Sequence, residues 1–295
     1  PGCVQQVIAP EIDEAVARLL VRRGISLVPL RGAGCCGALA HHLGREAEAK
    51  AWAKRLIAAF ENAGGADAFE GIFISASGCA AHIHEHEYLF LDKPEWQARA
   101  QAFAEKLVQL PQLISSNPPL EGGSKNSERS GGFFGEGPTM RDSSPLPEIC
   151  SLAFANFDPP SRGGLEKSPI RVALQVPCSQ QHGLRGDDGG DVLRAAGFEV
   201  AHIPEEHLCC GSAGSYSILQ PEIATALRER KLTNIRSVQP DIIATSNIGC
   251  LQHLGGPDAP PVVHIAELLD WAEGGAVPKA LAARRQLMAN GEGPG

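Results

Sequence analysis

The stretches Gly34-Cys-Cys-Gly-Ala38 and Cys209-Cys-Gly-Ser-Ala213 decide the fold, because each lies at the centre of the same long cysteine spacing. In the first half of the chain, successive cysteines are 32, 1 and 43 residues apart, and in the second half they are 31, 1 and 40 apart. Two copies of one irregular spacing indicate an internal duplication. The cysteines of the two copies are Cys3, Cys35, Cys36, Cys79, Cys178, Cys209, Cys210 and Cys250.

Short apolar runs alternate with amphipathic segments around these cysteines. The expected strands lie at 25–30, 72–76, 172–176, 198–203 and 241–245. The expected helices lie at 11–23, 46–63, 190–196 and 221–236. Short strands that alternate with helices predict βαβ units and a parallel sheet. The expected fold is therefore α/β, with two duplicated βαβ-type modules.

Composition divides the chain into three parts. The first module is expected over 1–114 and the second over 170–295. Between them, residues 115–169 are rich in Ser, Gly and Pro, and they are interpreted as a disordered insert or linker. Cys150 lies in this insert and is expected to be a free thiol without a function. Because few residues precede Cys3, the first module is expected to be truncated inside its first strand.

Charge and cysteine content limit the classes of function. The chain has 26 basic and 34 acidic residues, a net charge of −8, which argues against a nucleic-acid-binding surface. No stretch reaches the roughly 20 apolar residues of a membrane span, and no signal peptide is evident. Nine cysteines in such a chain favour metal or redox chemistry over a disulfide framework. No phosphate-binding glycine motif occurs in the right context, so no nucleotide is expected.

The expected strands place the cysteines at one edge of each sheet. Residues that follow the carboxyl ends of parallel strands meet at that edge, where ligands bind. Four thiolates there suit soft metals, either as an iron–sulfur cluster or as zinc. A vicinal pair favours a polynuclear cluster, because two adjacent sulfurs can reach different irons. Burial as plain apolar side chains remains an alternative for any single cysteine.

Three stretches carry a more specific resemblance: Gly2-Cys-Val-Gln-Gln6, Cys209-Cys-Gly-Ser-Ala-Gly214 and Pro240-Asp-Ile-Ile-Ala-Thr-Ser-Asn-Ile-Gly-Cys250. With the repeated spacing, they resemble the cysteine-rich CCG domain family. That family includes a cysteine-rich component of heterodisulfide reductase, lactate-utilisation proteins and the iron–sulfur subunits of glycolate oxidases, and the stretches are most similar to the glycolate oxidase type. The resemblance covers nearly the whole chain except 115–169.

The resemblance implies an electron-transfer subunit of a glycolate oxidase (glycolate dehydrogenase) complex. All eight repeated cysteines would be metal ligands, and a [4Fe–4S] type of iron–sulfur cluster is expected. Flavin-containing partner subunits would oxidise glycolate to glyoxylate and pass electrons through this chain towards a membrane acceptor, so no catalytic residue is expected here. The protein would be cytoplasmic and peripheral to the inner membrane through its partners. The ferredoxin-like domain usual in such subunits is not in this sequence.

One departure from the family keeps two other functions open. In heterodisulfide reductase each motif ends in Cys-x-x-Cys, but here the endings are Cys79-Ala-Ala-His82 and Cys250-Leu-Gln-His253. The first alternative is a docking module that binds zinc or no metal. The second is a thiol/disulfide enzyme, against which the incomplete endings count. His82 and His86 are interpreted as part of a solvated helix start rather than as ligands. For His182, a hydrogen bond to a thiolate and a structural role at a helix end are both open.

Overall fold

The first half of the chain is mostly helical in the computed structural model, which describes residues 2–119, 169–186 and 188–283. Two short strands, β1 (Ile72–Phe73) and β2 (Leu107–Val108), pair in parallel. The helices are α1 (Gln5–Ile8), α2 (Pro10–Val21), α3 (Ala38–His42), α4 (Glu46–Asn62), α5 (Ser77–His84), α6 (Pro94–Ala104) and α7 (Leu110–Ser116).

The second half forms a four-stranded sheet in which all neighbours are parallel, in the order β4-β3-β5-β6. Its strands are β3 (Arg171–Leu174), β4 (Glu199–Ala201), β5 (Ile242–Thr245) and β6 (Val262–His264). Its helices are α8 (Gly190–Ala195), α9 (Tyr216–Leu219), α10 (Pro221–Ser237), α11 (Ile248–Leu254) and α12 (Ile265–Ala272). The α/β fold with parallel sheets is therefore confirmed.

The sequence of β5 shows why this sheet forms. Its residues Ile-Ile-Ala-Thr are buried along the whole strand. A continuous apolar run of this kind is typical of a parallel strand that is covered on both faces. The next element, α11, begins at Ile248, and the side chain of Asn247 accepts a hydrogen bond from the N–H of Gly249 to cap it. The chain therefore turns sharply from the end of β5 into the helix that carries Cys250.

The strand predicted at residues 25–30 is wrong, because this run has no regular secondary structure. Val28 is 65% exposed, and Ile25 and Leu30, at the two ends of the run, are the members that pack against core side chains. Pro29 lacks a backbone N–H and weakens any pairing in a sheet. The first half consequently has a smaller sheet than the second, and the loop that leads to Cys35 is held by other contacts.

Helix α2 joins the two halves. It begins with Pro10 at its first turn, as predicted, and its residues Leu19 and Leu20 lie in one core with Val172 of β3. Asp270 of α12, which is buried, pairs with Arg18 at 2.7 Å and with Arg22 at 2.5 Å. The described parts of both halves belong to one compact unit.

Most of the expected insert at residues 115–169 lies outside the described residues. Helix α7 ends at Ser116, just past residue 115, where the insert was predicted to begin. Residues 120–168, including Cys150, are not described, so the disorder and the free thiol expected there stay predictions. Within the described ranges, no helix is both long enough and apolar enough to cross a bilayer.

Candidate metal centres

The first half brings its four repeated cysteines together. Cys3 precedes α1, the vicinal pair precedes α3, and Cys79 lies in the first turn of α5. The sulfurs of Cys3 and Cys35 are 3.5 Å apart. Hydrogen bonds also join the thiol of Cys36 to the thiols of Cys35 and Cys79. These four thiols form a continuous cluster, the first cysteine set.

The second half repeats this arrangement. Cys178 follows β3, the pair Cys209 and Cys210 lies in the loop after β4, and Cys250 lies in the first turn of α11. The sulfurs of Cys178 and Cys209 are 4.0 Å apart, and those of Cys210 and Cys250 are 3.1 Å apart. Cys209 and Cys210 are also hydrogen-bonded to each other. These four thiols form the second cysteine set, so each predicted group of four is assembled.

The glycine after each vicinal pair has the same role in both halves. Gly37 and Gly211 have φ values of +87° and +96°, in the left-handed region that favours glycine. Their N–H groups donate to the sulfurs of Cys35 and Cys209, each at 3.3 Å. A Cβ on Gly211 would lie 2.4 Å from the carbonyl oxygen of Ala224. Glycine therefore permits a close backbone approach that directs an N–H at a sulfur.

In each half, a buried glutamine two residues after the first cysteine is hydrogen-bonded to a serine hydroxyl. Gln5 is buried, and its Nε2 donates to the hydroxyl of Ser75 at 2.6 Å. Gln180 is also buried, and its Oε1 accepts from the hydroxyl of Ser246 at 3.0 Å. Both serines lie four residues before the last cysteine of their set. The duplication therefore extends from the ligand spacing to the buried hydrogen bonds behind it.

The two cysteine-bearing regions are in direct contact. The N–H of Ser77 donates to the carbonyl oxygen of Ser246 at 3.2 Å, and the hydroxyls of Ser77 and Ser179 are 3.1 Å apart. Asn247 also donates to the hydroxyl of Ser179 at 3.3 Å. These residues lie close to Cys79, Cys178 and Cys250 in the sequence, so the helices that carry or follow the cysteines meet between the two sets.

The pKa values of the thiols in the first set depend on one another. A hydrogen bond from Cys36 lowers the pKa of Cys79. A hydrogen bond with Cys35 lowers the pKa of Cys36, but the thiol of Cys79 and burial together raise it more, to about 12. The four thiols therefore do not ionise together near neutral pH, because each thiolate disfavours the next.

In the second set, hydrogen bonds between thiols shift the pKa values of two adjacent cysteines in opposite directions. Hydrogen bonds from Cys178 and then from Cys210 lower the pKa of Cys209. Hydrogen bonding to Cys209, hydrogen bonding to Cys250 and burial raise the pKa of Cys210. Four thiolates at this place need positive charge to balance them, and a metal centre supplies it when it displaces the thiol protons.

The donor chemistry of both sets fits an iron–sulfur centre. All eight thiols are free, and two of the sulfurs already receive a backbone N–H. Such clusters are held by cysteine thiolates and are tuned by hydrogen bonds to sulfur. Among residues 2–119, 169–186 and 188–283, no three His, Cys, Asp or Glu side chains are arranged to hold a single metal ion. A polynuclear cluster makes a different demand, because its cysteines bind different irons.

Comparison with known families agrees with this duplicated geometry. The model of the cysteine-rich domain, CCG, matches the chain twice, over residues 1–84 and 172–255. The chain belongs to the CCG family. Each match includes one complete cysteine set, and neither includes the expected insert. The resemblance read from the sequence is therefore confirmed.

Relatives of this CCG protein have names that refer to hydroxy-acid oxidation. It is 31% identical over 276 residues to the glycolate oxidase iron-sulfur subunit of Escherichia coli, covering 92% of this chain and 56% of that protein. It is 28% identical over 282 residues to a probable glycolate oxidase iron-sulfur subunit of Bacillus subtilis, covering 92% and 54%. It is 24% identical over 273 residues to lactate utilization protein A of Bacillus velezensis, covering 91% and 96%. The chain thus spans about half the length of the glycolate oxidase subunits.

His82 and His86 of the first CCG repeat are buried, so the interpretation of these two as solvated is wrong. His82 is 5% exposed and His86 is 0% exposed. His86 contacts the carbonyl oxygen of Cys36 at 2.9 Å, while the ring of His82 lies 5.0 Å from that of His86 and 5.2 Å from that of His41. Burial lowers the pKa of His82 to about 3 and that of His86 to about 4. Both are therefore neutral near pH 7.

The second repeat differs at the matching position. His253, three residues after Cys250, is half-buried, and its Nε2 lies 3.3 Å from the carbonyl oxygen of Ala224. His182 is exposed in the single π-helical turn Ser179–Leu184, so it does not serve as a buried support of Cys178. The cluster of imidazoles beside the first set thus has no such counterpart beside the second set among the described residues.

Sequence reasoning missed Lys231, which lies on the buried face of α10. Its side chain is fully enclosed, and its Nζ donates to the carbonyl oxygen of Glu206 at 2.9 Å. The available signal was its place in the apolar stripe of that helix, between Ala224 and Leu232. A lysine in such a stripe is rarely buried without a negative partner.

Proposed function

We propose that this chain is an electron-transfer protein in which each cysteine set holds an iron–sulfur centre. The doubled arrangement of four free thiols, each with an N–H on one sulfur, supports this proposal most strongly. An iron–sulfur centre, when bound, supplies reversible one-electron chemistry. The finer proposal is that both centres are of the [4Fe–4S] type.

The residues of the chain have distinct parts in this function. The eight repeated cysteines would supply the sulfur ligands. The N–H groups of Gly37 and Gly211 would stabilise negative charge on two of those sulfurs. Burial of Cys36, Cys210 and Cys250 would keep water from part of each site. The buried bonds of Gln5 and Gln180 would hold the segments that carry the first cysteine of each set.

The substrate of the complex is proposed to be a small 2-hydroxy acid, with glycolate as the first choice. This choice rests on the names of the relatives, which refer to glycolate oxidase and to lactate utilization. Oxidation of glycolate to glyoxylate releases two electrons, which a flavin in a partner subunit would accept and deliver one at a time. The chain would pass them towards a membrane acceptor while remaining a cytoplasmic protein, peripheral to the inner membrane.

The test is metal analysis of the full chain purified without oxygen, with an absorption spectrum before and after reduction. We expect iron and matching acid-labile sulfide, and a broad visible band that bleaches reversibly. Cys210→Ala should weaken the band, whereas Cys150→Ala should leave it intact. Glycolate should bleach the band only when the flavin partner subunits are added.

Two other results would redirect the assignment. Zinc or no metal in protein never exposed to air would contradict the proposal and favour a docking module. If the iron is reduced by dithionite but not by glycolate in the presence of the flavin partner subunits, the electron-transfer role is supported. The same result would contradict glycolate as the substrate.

A further inference from the structure

Lys231 is a buried cation on α10, the helix that packs against the second cysteine set. Its side chain is 0% exposed. The next residue, Leu232, lies in the same apolar cluster as Cys210 and Cys250. Burial lowers the pKa of the Lys231 ammonium, and the thiols of Cys210, Cys250 and Cys209 oppose that shift. Burying such a charge is costly unless a negative charge balances it.

The hydrogen bonds of Lys231 do not explain its burial. Its Nζ donates to the carbonyl oxygens of Glu206 at 2.9 Å and Glu205 at 3.3 Å. Each of these oxygens has a second donor, because Gln181 donates to Glu206 and the N–H of Leu208 donates to Glu205, both at 3.0 Å. A neutral side chain at position 231 would therefore leave neither carbonyl unpaired.

No carboxylate within the described ranges forms a salt bridge with Lys231. The nearby Glu205 pairs instead with Arg230, on the exposed side of α10. The largest electrostatic interactions of Lys231 are with three thiols of the second set, and the next is with Glu206, which is exposed to solvent. The buried counter-charge available to this lysine is therefore the set of cysteine sulfurs.

The first half has no charge at the matching position. Ala49 and Ala224 are equivalent, because the carbonyl oxygen of each lies close beneath the glycine of its own Cys-Cys-Gly stretch. Seven residues further along, α4 has Leu56 where α10 has Lys231. Both side chains are buried on the same face of their helices. The cation thus distinguishes the second set from the first.

We propose that Lys231 is the counter-cation of a negatively charged centre held by the second cysteine set, and that it makes this centre the more easily reduced of the two. The inference rests on the proposed function, since it requires a centre in each set. Reduction adds one negative charge to a centre. A buried ammonium stabilises that added charge more than distant solvent does, because the dielectric constant around it is low. Lys231 is a positioning residue that acts through the electrostatic field and does not bind the metal.

The experiment is a redox titration of the full chain, loaded with iron and sulfide without oxygen and followed by electron paramagnetic resonance. The signal of the second set is identified by its loss in Cys210→Ser. Lys231→Met should make reduction of that centre at least tenfold less favourable, which is about 59 mV for one electron. Lys231→Arg should retain most of the wild-type potential. Leu56→Met is the matched control and should change neither centre.

Each alternative outcome has a defined meaning. An unchanged second-set potential in Lys231→Met, or an equal shift of both centres, would overturn the inference and leave the proposed function standing. A wild-type chain without iron in either set would overturn the proposed function itself.

A measurement on metal-free protein covers a variant that does not load iron. Lys231→Met should then melt no lower than wild type, because it removes an unbalanced buried charge. Such a variant, folded but unable to hold iron in the second set while Lys231→Arg holds it, would support the counter-cation. A large drop in the melting temperature of metal-free Lys231→Met would instead make Lys231 a structural residue and overturn the inference.

Discussion

The two cysteine sets share their donor geometry and differ in the charges around them. In both sets the glycine after the vicinal pair donates its N–H to a sulfur 3.3 Å away. The first set lies beside the neutral, buried imidazole of His86, which contacts the carbonyl oxygen of Cys36. The second lies against α10, the helix that carries the buried ammonium of Lys231. The duplicated halves thus repeat the arrangement of the cysteines but provide different electrostatic surroundings.

The sets also differ in burial, and the sheets explain why. The second set follows strands of a four-stranded sheet, and both Cys210 and Cys250 are buried. The first half has only a two-stranded pairing among its described residues, and Cys3 is exposed. A smaller sheet covers less of the site. The same ligand spacing therefore gives one enclosed site and one that is open to solvent at Cys3.

The largest expected effect is at the glycines that the two sets share. Gly211→Ala places a Cβ 2.4 Å from a backbone oxygen at a φ of +96°, whereas Gly37→Ala places one 3.0 Å away at +87°. We expect a loss of about 3 kcal/mol in the free energy of unfolding for Gly211→Ala and about 2 kcal/mol for Gly37→Ala, from strain and overpacking together. Denaturant unfolding of metal-free protein measures both.

Gly197→Ala is the control, since Gly197 has a φ of +91° but nothing within 4 Å of an added Cβ. It should cost about 1 kcal/mol from backbone strain alone. Equal losses at Gly211 and Gly197 would show that the close approach at the second set is not tight.

The next effect concerns the ion pairs between the halves. Asp270→Asn removes the carboxylate that pairs with Arg18 and Arg22, whose side chains are 31% exposed and can still reach water. We expect a loss of about 2 kcal/mol in the free energy of unfolding, less than for a fully buried pair. The surface pair of Glu14 with Arg18, at 3.8 Å, provides the control, and Glu14→Gln should cost under about 0.5 kcal/mol. Equal effects of the two variants would contradict the role given to Asp270.

Lowering the pH should destabilise the region around the first cysteine set, because His82 becomes protonated. Its folded-state pKa of about 3 lies below the ordinary value of 6.5, so the unfolded chain binds the proton more tightly. The stability from neutral His82 is complete above pH 6.5 and is lost as the pH falls towards 3. When the pH falls from 7.5 to 5, the free energy of unfolding of the wild-type chain decreases. We expect this decrease to be smaller by about 1–2 kcal/mol in His82→Leu.

Unfolding of metal-free wild type and variant at both pH values measures this difference. His264, buried in the second half with a pKa lowered to about 4 by burial, titrates equally in both proteins and cancels from the comparison. The same pH dependence in His82→Leu as in wild type would mean that His82 is protonated or solvated in the folded chain.

The smallest expected effect is a difference in the rate of metal loss. Because Cys3 is exposed while Cys210 and Cys250 are buried, a chelator should remove iron from the first set severalfold faster than from the second. The two rates are separated by following Cys36→Ser and Cys210→Ser variants, each of which keeps one set. Faster loss of iron from the second set would contradict the conclusion that the first set is the more exposed of the two.

Local pattern was enough to predict much of the fold. The apolar face of α2, the length of α4 and α10, and the run that forms β5 are all legible in the sequence, because each repeats one period over its full length. Strand 25–30 fails, since Pro29 and the lack of a neighbouring strand outweigh an apolar composition. The strands β2 and β6 are two and three residues long, and such short pieces are set by tertiary pairing rather than by their own pattern.

The cysteine sets were predictable from spacing, but their surroundings were not. Four cysteines separated by long loops can be grouped because the spacing occurs twice. His82 was interpreted as solvated because its neighbours are polar, and the burial that α3 and the turn at His86–Phe90 impose is a tertiary effect. Lys231 was missed for the same reason, because only the packed helix shows that its side chain is buried on the face that meets the second cysteine set.

The most direct test of the account is iron and sulfide content measured one set at a time. Cys35→Ser/Cys36→Ser should remove the first centre, and Cys209→Ser/Cys210→Ser should remove the second. We expect each double variant, purified without oxygen, to keep about half of the wild-type iron and sulfide, and the quadruple variant to keep none. Loss of all iron in one double variant with no loss in the other would contradict two equivalent centres and would assign the metal to a single set.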